Sequence, residues 1–311
     1  MDHSVEVSIV CCVYNHEKYL EKALQGFINQ VTDFKYEIII HDDASTDKSA
    51  DIIREYALKY HNIKPIYQKE NQYSQNISIA KEFIIPQING KYVALCEGDD
   101  YWIDCKKLQK QYDFMENHPN IAMTTHGYNM IRANSGELIQ EYHCMNSSGY
   151  FTFEHLLSNL NIPQTATFFM RKSVYVDRLD KFIPCPVGDF QMRLYAFLEG
   201  GVYYDDCIMS VYRIASDNSW TVRIRRNKEK YLEFLKDFKS FHLKLRELYP
   251  SFINDIDFAI ESIDFDILVC KKDKNALYTN YFKSLSLKGK LKTLFQLFCP
   301  ELYALLLKHI K

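Results

Sequence analysis

The alternation in the first hundred residues constrains this chain most. Val5–Cys12 (VEVSIVCC) is a β-branched apolar run that predicts a buried strand. Glu17–Gln30 places Leu20, Ala23, Leu24, Phe27 and Ile28 at helical spacing, which predicts an amphipathic helix. The pattern then repeats with a strand at Tyr36–Ile40, a helix at Lys48–Tyr60, a strand at Ile63–Gln68, a helix at Ile77–Ile88 and a strand at Tyr92–Cys96. Strands and helices trading places at this pitch require βαβ units, hence an α/β fold with a mixed, mostly parallel sheet flanked by helices. A helix at Lys106–Asn117 and a strand at Ile121–His126 follow, then a mixed region to about Trp220. Lys228–Leu248 reads as a long helix. The expected division is an α/β domain over 1–222 and a basic helical C-terminal extension over 223–311.

Composition narrows the class. With 47% hydrophobic and 25% charged residues the chain is an ordinary globular protein, and 10 Gly and 8 Pro exclude collagen. A net charge of −2 argues against a general nucleic-acid partner. That figure is the sum of unlike parts. Residues 1–220 carry 20 basic and 29 acidic residues, net −9, whereas 221–311 carry 18 and 11, net +7. The nine cysteines form no C-x-x-C pair, which excludes a zinc ribbon or thioredoxin-like motif. Six or more are expected in the core as small apolar residues of a reducing, cytoplasmic compartment. The acidic opening Met1-Asp2-His3 is not a signal-peptide pattern, and no apolar run approaches the ~20 residues that span a bilayer.

Open α/β sheets bind ligands outside the carboxyl ends of their strands. After the predicted strands come Val13-Tyr14-Asn15-His16, then His41-Asp42-Asp43-Ala44-Ser45-Thr46-Asp47, then Lys69-Glu70-Asn71, then Glu97-Gly98-Asp99-Asp100-Tyr101-Trp102. Asp47 reads as a helix cap. Asp99 and Asp100 read either as an acidic turn or as hard oxygen ligands for Mg²⁺ or Mn²⁺ on phosphate oxygens. Neither G-x-G-x-x-G nor G-x-x-x-x-G-K-[ST] occurs, so dinucleotide and P-loop sites lack their motif.

The succession SIVCCVYNHEKYLEKAL, YEIIIHDDASTDKSADII, KEN and YVALCEGDDYWIDCKKLQKQ resembles family 2 glycosyltransferases of the GT-A fold, of the bacterial surface-polysaccharide type. The resemblance continues through NIPQTATFFMRKS, VGDF and VYRIASDNSW, over about residues 5–222. It implies an inverting, metal-dependent transfer of sugar from a nucleoside-diphosphate donor, UDP-linked, to a saccharide or lipid-linked saccharide hydroxyl. In that resemblance EGDD stands at the DXD motif. Groups around Cys12, Val13 and Tyr14 flank the nucleotide base, Asp43 accepts a hydrogen bond from it, and Lys69 lies near the nucleotide. Asp99 reaches the ribose or sugar, Asp100 ligates the metal, and Arg213 lies near the diphosphate. Asp189 falls at the catalytic base, with helix capping as its other reading. Trp102 and Trp220 are candidate acceptor platforms, with core packing as the alternative.

Many relatives carry a His shortly after the Tyr-Arg pair; here Ile214-Ala215-Ser216 occupies that stretch, leaving Ser216, Ser219 or Trp220 to line the site. His16, His41 and His126 read as structural rather than metal-ligating. Three rival readings are a dehalogenase-like phosphatase, a nucleotidyltransferase and a catalytically silent partner subunit with the same fold. The phosphatase lacks its nucleophilic Asp after the first strand, and the nucleotidyltransferase lacks its Gly-rich opening loop. The segment Lys283–Lys311 sets six lysines against Glu301. It reads either as a helix on an anionic membrane surface or as one docking on the catalytic domain or a second subunit.

Overall fold

The computed structural model describes residues 4–157, 162–214, 224 and 227–299. They fall into two compact units; 183–187 belong with the C-terminal helices, and 188–214 return to the first unit.

In the first unit the expected alternation appears as β1 (Val5–Val13), α1 (Leu20–Ile28), β2 (Lys35–Asp42), α2 (Ser49–Lys59), β3 (Ile63–Tyr67) and β4 (Tyr92–Leu95). Next come β5 (Tyr101–Trp102), α3 (Lys107–Asn117), β6 (Met123–Arg132), β7 (Leu138–Tyr142), β8 (Gly149–Tyr150) and α4 (Phe153–Leu157). The unit closes with β9 (Phe169–Arg171), α5 (Lys172–Lys181), α6 (Gly188–Glu199) and β10 (Val202–Ile214). One sheet runs β3-β2-β1-β4-β9-β6-β10-β5, with β7 on β6 and β8 on β10. The long pairings, β1 with β2 and β4, β2 with β3, and β6 with β10, are parallel. β9 runs antiparallel to β4 and β6, joining the two parallel parts. The mixed, mostly parallel α/β sheet is thus the architecture of this unit.

Two expectations change. The helix expected over Ile77–Ile88 is instead a π-helical turn at Ala80–Ile84 followed by a 3₁₀ turn at Ile85–Gln87, with a separate 3₁₀ turn before it at Tyr73–Gln75. Pro86 lacks the N–H that an α-helix needs there, and Asn76 is left-handed at φ 59°. The strand expected over Ile121–His126 runs on to Arg132 beside the 13-residue β10, whose pairing slips at Asp205/Ile208 and Ile208/Ser210. Those bulges break the two-residue alternation, which is why Asp205-Asp206-Cys207 does not read as strand.

Leu20, Ala23, Leu24 and Phe27 of α1 are fully buried against the sheet. Phe27 meets the Trp102 ring edge-on at 4.8 Å, and a Cβ on Gly26 would lie 2.9 Å from the Trp102 carbonyl oxygen. Trp102 is 3% exposed and donates its indole N–H to the Ala166 carbonyl at 2.9 Å. The expected acceptor platform at Trp102 is therefore a core anchor: both ring faces are inside, and no sugar can stack there. Trp220 lies outside the described residues. The cysteine expectation also shifts, with Cys11, Cys96 and Cys144 buried but Cys105, Cys207 and Cys299 exposed.

The second unit contains α7 (Lys228–Leu248), α8 (Ile253–Lys271), α9 (Asn280–Ser284) and α10 (Leu287–Phe298). The Asn227 side chain caps α7 by accepting from the N–H groups of Glu229 and Lys230, both at 3.0 Å. Lys239–Asp264 and Arg246–Asp257 pair α7 with α8.

Lys107 is fully buried at the start of α3. Its ammonium donates to Gln111 Oε1 at 2.7 Å and lies 4.1 Å from the Trp102 ring centroid. Burial pushes it down to about 7. The unfolded chain holds this proton up to the ordinary lysine range, so between those pH values it binds more protons than the native state. The cost of burying Lys107, up to about 5 kcal/mol, therefore fades as pH rises through that window. Denaturation of wild type and Lys107→Met at pH values from about 7 to 10 should show wild type gaining stability relative to the variant as pH rises.

Candidate active site

Parallel pairing puts the carboxyl ends of β1, β2, β3 and β4 on one edge, and the polar turns of the sequence follow there. The first two turns are bonded to each other. Asn15 and Ala44 are left-handed, at φ 58° and 59°. Asn15 N–H donates to Ser45 Oγ at 2.9 Å, and Asn15 Oδ1 accepts from Thr46 N–H at 2.8 Å. Asp47 accepts from Ser49 N–H at 2.9 Å and from Glu17 N–H at 3.0 Å, while Glu17 accepts from Lys48 N–H at 2.9 Å. The N-cap position of α2 is Lys48, not Asp47 as the sequence suggested; Asp47, one residue earlier, instead clasps the two turns.

Asp43 is 4% exposed. Its N–H donates to the Val13 carbonyl, and its carboxylate accepts from the Gln72 and Tyr73 N–H groups at 2.7 and 3.1 Å. The contacts to Asp43 from the third turn thus come from Asn71–Tyr73, while Lys69 is exposed beside them. Val13 is buried, so it shapes this edge from behind; Cys12 and Tyr14 are part-exposed. Burial, followed by the charges of Glu97 and Asp43, pushes the Cys12 thiol up to about 12, so it stays protonated.

The fourth turn carries the acid. Glu97, Asp99 and Asp100 each bring a carboxylate oxygen within 4.8 Å of the others. Asp100 is 3% exposed, and burial followed by the charge of Asp99 raises its carboxyl well above the usual range. Glu97 keeps contact with solvent, yet the surrounding protein and the carboxylates of Asp99 and Asp189 push it up to about 8. Asp189 therefore lies in the field of this trio. It stands in the first turn of α6 and accepts from Phe190 N–H at 2.7 Å. Hard carboxylate oxygens crowded at this spacing fit a divalent cation, whose charge removes the repulsion.

Arg213 binds the acidic turn to the far side of the sheet. Its N–H donates to Asp100 Oδ1 at 2.8 Å and its guanidinium to the Asp99 carbonyl. The guanidinium also lies over the rings of Tyr101 and Tyr19, at 4.5 and 5.1 Å. The structure adds groups the sequence reading did not assign. Glu97 joins the two aspartates. Tyr212 on β10 is half-buried, and burial first, then the charges of Asp100, Glu97, Asp99 and Asp189, raise its phenol. The Tyr-Arg pair at 212–213 was the available signal. His16 packs against Gly98 of the turn; burial lowers its pKa, and its Nδ1 is buried without the hydrogen bond expected of it.

Comparison with known proteins agrees with this geometry. The model of glycosyl transferase family 2 matches residues 8–179, more than half of the chain, and the protein belongs to that family. An uncharacterized protein of Mycobacterium tuberculosis is 32% identical over 217 residues, covering 69% of this chain and 60% of its own length. The chain thus spans 60% of that relative's length. The poly(ribitol-phosphate) beta-glucosyltransferase of Bacillus spizizenii is 35% identical over 121 residues, which are 38% of this chain and 19% of that protein. Among solved structures, TarS residues 1–349 from S. aureus in complex with UDP-GlcNAc superimposes with a TM-score of 0.61 at 16% identity, covering 94% of this chain and 79% of that one. That likeness establishes the GT-A fold class.

Gly98 shows how tightly the acidic turn is seated. A Cβ there would lie 2.8 Å from His16 Nδ1 and 3.0 Å from Val13 Cγ2. Gly98→Ala is expected to cost roughly 1–3 kcal/mol in thermal unfolding. By displacing the carboxylates it should also weaken Mn²⁺ binding, measured by calorimetric titration.

Proposed function

We propose that this protein transfers a sugar from a nucleoside-diphosphate donor, UDP-linked, to a hydroxyl of a saccharide or lipid-linked saccharide, with inversion, in surface-polysaccharide assembly. The observation that carries the reading is the carboxylate trio at the sheet edge with Asp189 in its field. The named activity of the poly(ribitol-phosphate) relative supports glycosyl transfer, and the UDP-GlcNAc bound by TarS supports a UDP-linked donor. Residues 1–222 are the proposed catalytic domain and 223–311 its helical extension.

Asp99, Asp100 and Glu97 would hold Mn²⁺ or Mg²⁺. Bound there, the cation neutralises charge on the departing nucleoside diphosphate. Arg213, its side chain oriented by two tyrosine rings, adds positive charge on the same side. Cys12, Tyr14 and Asp43 border the nucleotide: the Asp43 oxygens each accept one backbone N–H, leaving lone pairs for a base N–H. Lys69 stands at the rim beside the donor. An acceptor hydroxyl is a weak nucleophile, so a carboxylate must take its proton as it attacks the anomeric carbon. We assign this role to Asp189, which stands in the first turn of α6, apart from the turn of Glu97, Asp99 and Asp100.

A thermal-shift panel of nucleoside-diphosphate sugars with Mn²⁺ tests the reading, because a ligand of the native state raises apparent stability. A UDP-sugar should raise the unfolding temperature with Mn²⁺ and not after chelation. If no nucleotide sugar shifts it under any metal condition, the reading fails. Asp100→Ala should abolish the Mn²⁺-dependent shift. Asp189→Asn should keep the shift while transfer falls by about 10²–10⁴.

A further inference from the structure

Helix α10 has two unlike sides. Thr293 and Leu297 face inward, and Leu297 joins Phe265 of α8 and Ala276 in a small core. Leu287, Leu291, Leu294, Phe295 and Phe298 recur at i, i+4, i+7, i+8 and i+11, so they share one side of the helix. All five are exposed, by 37–75%. At 3.6 residues per turn, Lys288 and Lys290 project on opposite flanks of this stripe and Lys292 lies beyond Lys288. Lys274 reaches over the Phe298 ring at 5.3 Å. The helix contains no acidic residue.

We propose that α10 is an interfacial helix that seats this protein on an anionic lipid surface. An exposed apolar stripe on a globular protein marks a contact, and the flanking charge selects the occupant. Lysines on both sides of an apolar face let large side chains enter the acyl boundary while the ammonium groups meet lipid phosphates. A second copy of the chain fits less well, because a two-fold contact through this stripe sets its lysines against their equivalents. The +7 net charge of 221–311 adds long-range attraction to the same surface. A helix of 12 residues lies on a bilayer rather than crossing it, and among the described residues no helix is long and apolar enough to cross.

Co-sedimentation of the full chain with vesicles tests this directly, using equimolar phosphatidylglycerol and phosphatidylcholine against phosphatidylcholine alone. The anionic vesicles should retain most of the protein, with at least about tenfold less on the neutral ones, and about 0.5 M salt should release it. Leu291→Glu with Phe295→Glu should cut binding by roughly tenfold or more. Each of Lys288→Gln and Lys292→Gln should cut it by about fivefold. All four positions are exposed, and circular dichroism checks that the helices persist. The proposal is overturned if wild type binds neither vesicle, or if the well-folded glutamate variant binds as wild type does. It is also overturned if wild type is a dimer in light scattering that binds no lipid and that the glutamate variant splits.

Discussion

The clasp between Arg213 and the turn at Asp99-Asp100 is the interaction on which the site depends. These residues lie more than a hundred positions apart in the chain, yet the Arg213 N–H donates to an Asp100 oxygen and its guanidinium to the Asp99 carbonyl. The clasp fixes the acidic turn from the β10 side. Gly98 fixes it from the other, where the backbone packs so closely on the His16 and Val13 side chains that an added Cβ would displace them. One Asp100 oxygen is committed to the Arg213 N–H, and the turn is held as a unit with three carboxylates within 4.8 Å. Burial first, and then the neighbouring carboxylates, raise the carboxyls of Glu97 and Asp100, so the turn holds negative charge at a cost that a bound cation would relieve.

The sequence was most legible where structure is local. The expected α2 and α3 appear with their ends moved by a residue, and α7 matches its expected bounds, because each has an apolar face at helical spacing. Legibility fell where tertiary contacts decide. The bulges of β10 hide a 13-residue strand, and Pro86 breaks a segment whose spacing suggests one helix. Trp102 shows the same limit at a site residue. Its position beside EGDD suggests a platform for sugar, but the indole is buried with Phe27, Lys107 and the Ala166 carbonyl around it.

The candidate site divides similarly. Asp43, Asp99 and Asp100 could be picked out because adjacent carboxylates at a strand end need a partner. Glu97 was visible in the same turn but had no distinguishing feature there. Asp189 rested on family resemblance, and its place beside the trio emerges only when α6 is folded back over the sheet. Tyr212 gave no sign alone, since a lone tyrosine in a strand is ordinarily a packing residue.

In the proposed reading, the acidic turn of Glu97, Asp99 and Asp100 holds the metal of a sugar-nucleotide pocket. Crystals grown with UDP and Mn²⁺, with diffraction recorded at the manganese edge, test it most directly. The expected result is one anomalous peak bonded to Asp100 and to diphosphate oxygens, with the base near Asp43. UDP bound at this edge without manganese, or manganese bound away from Glu97, Asp99 and Asp100, would contradict it.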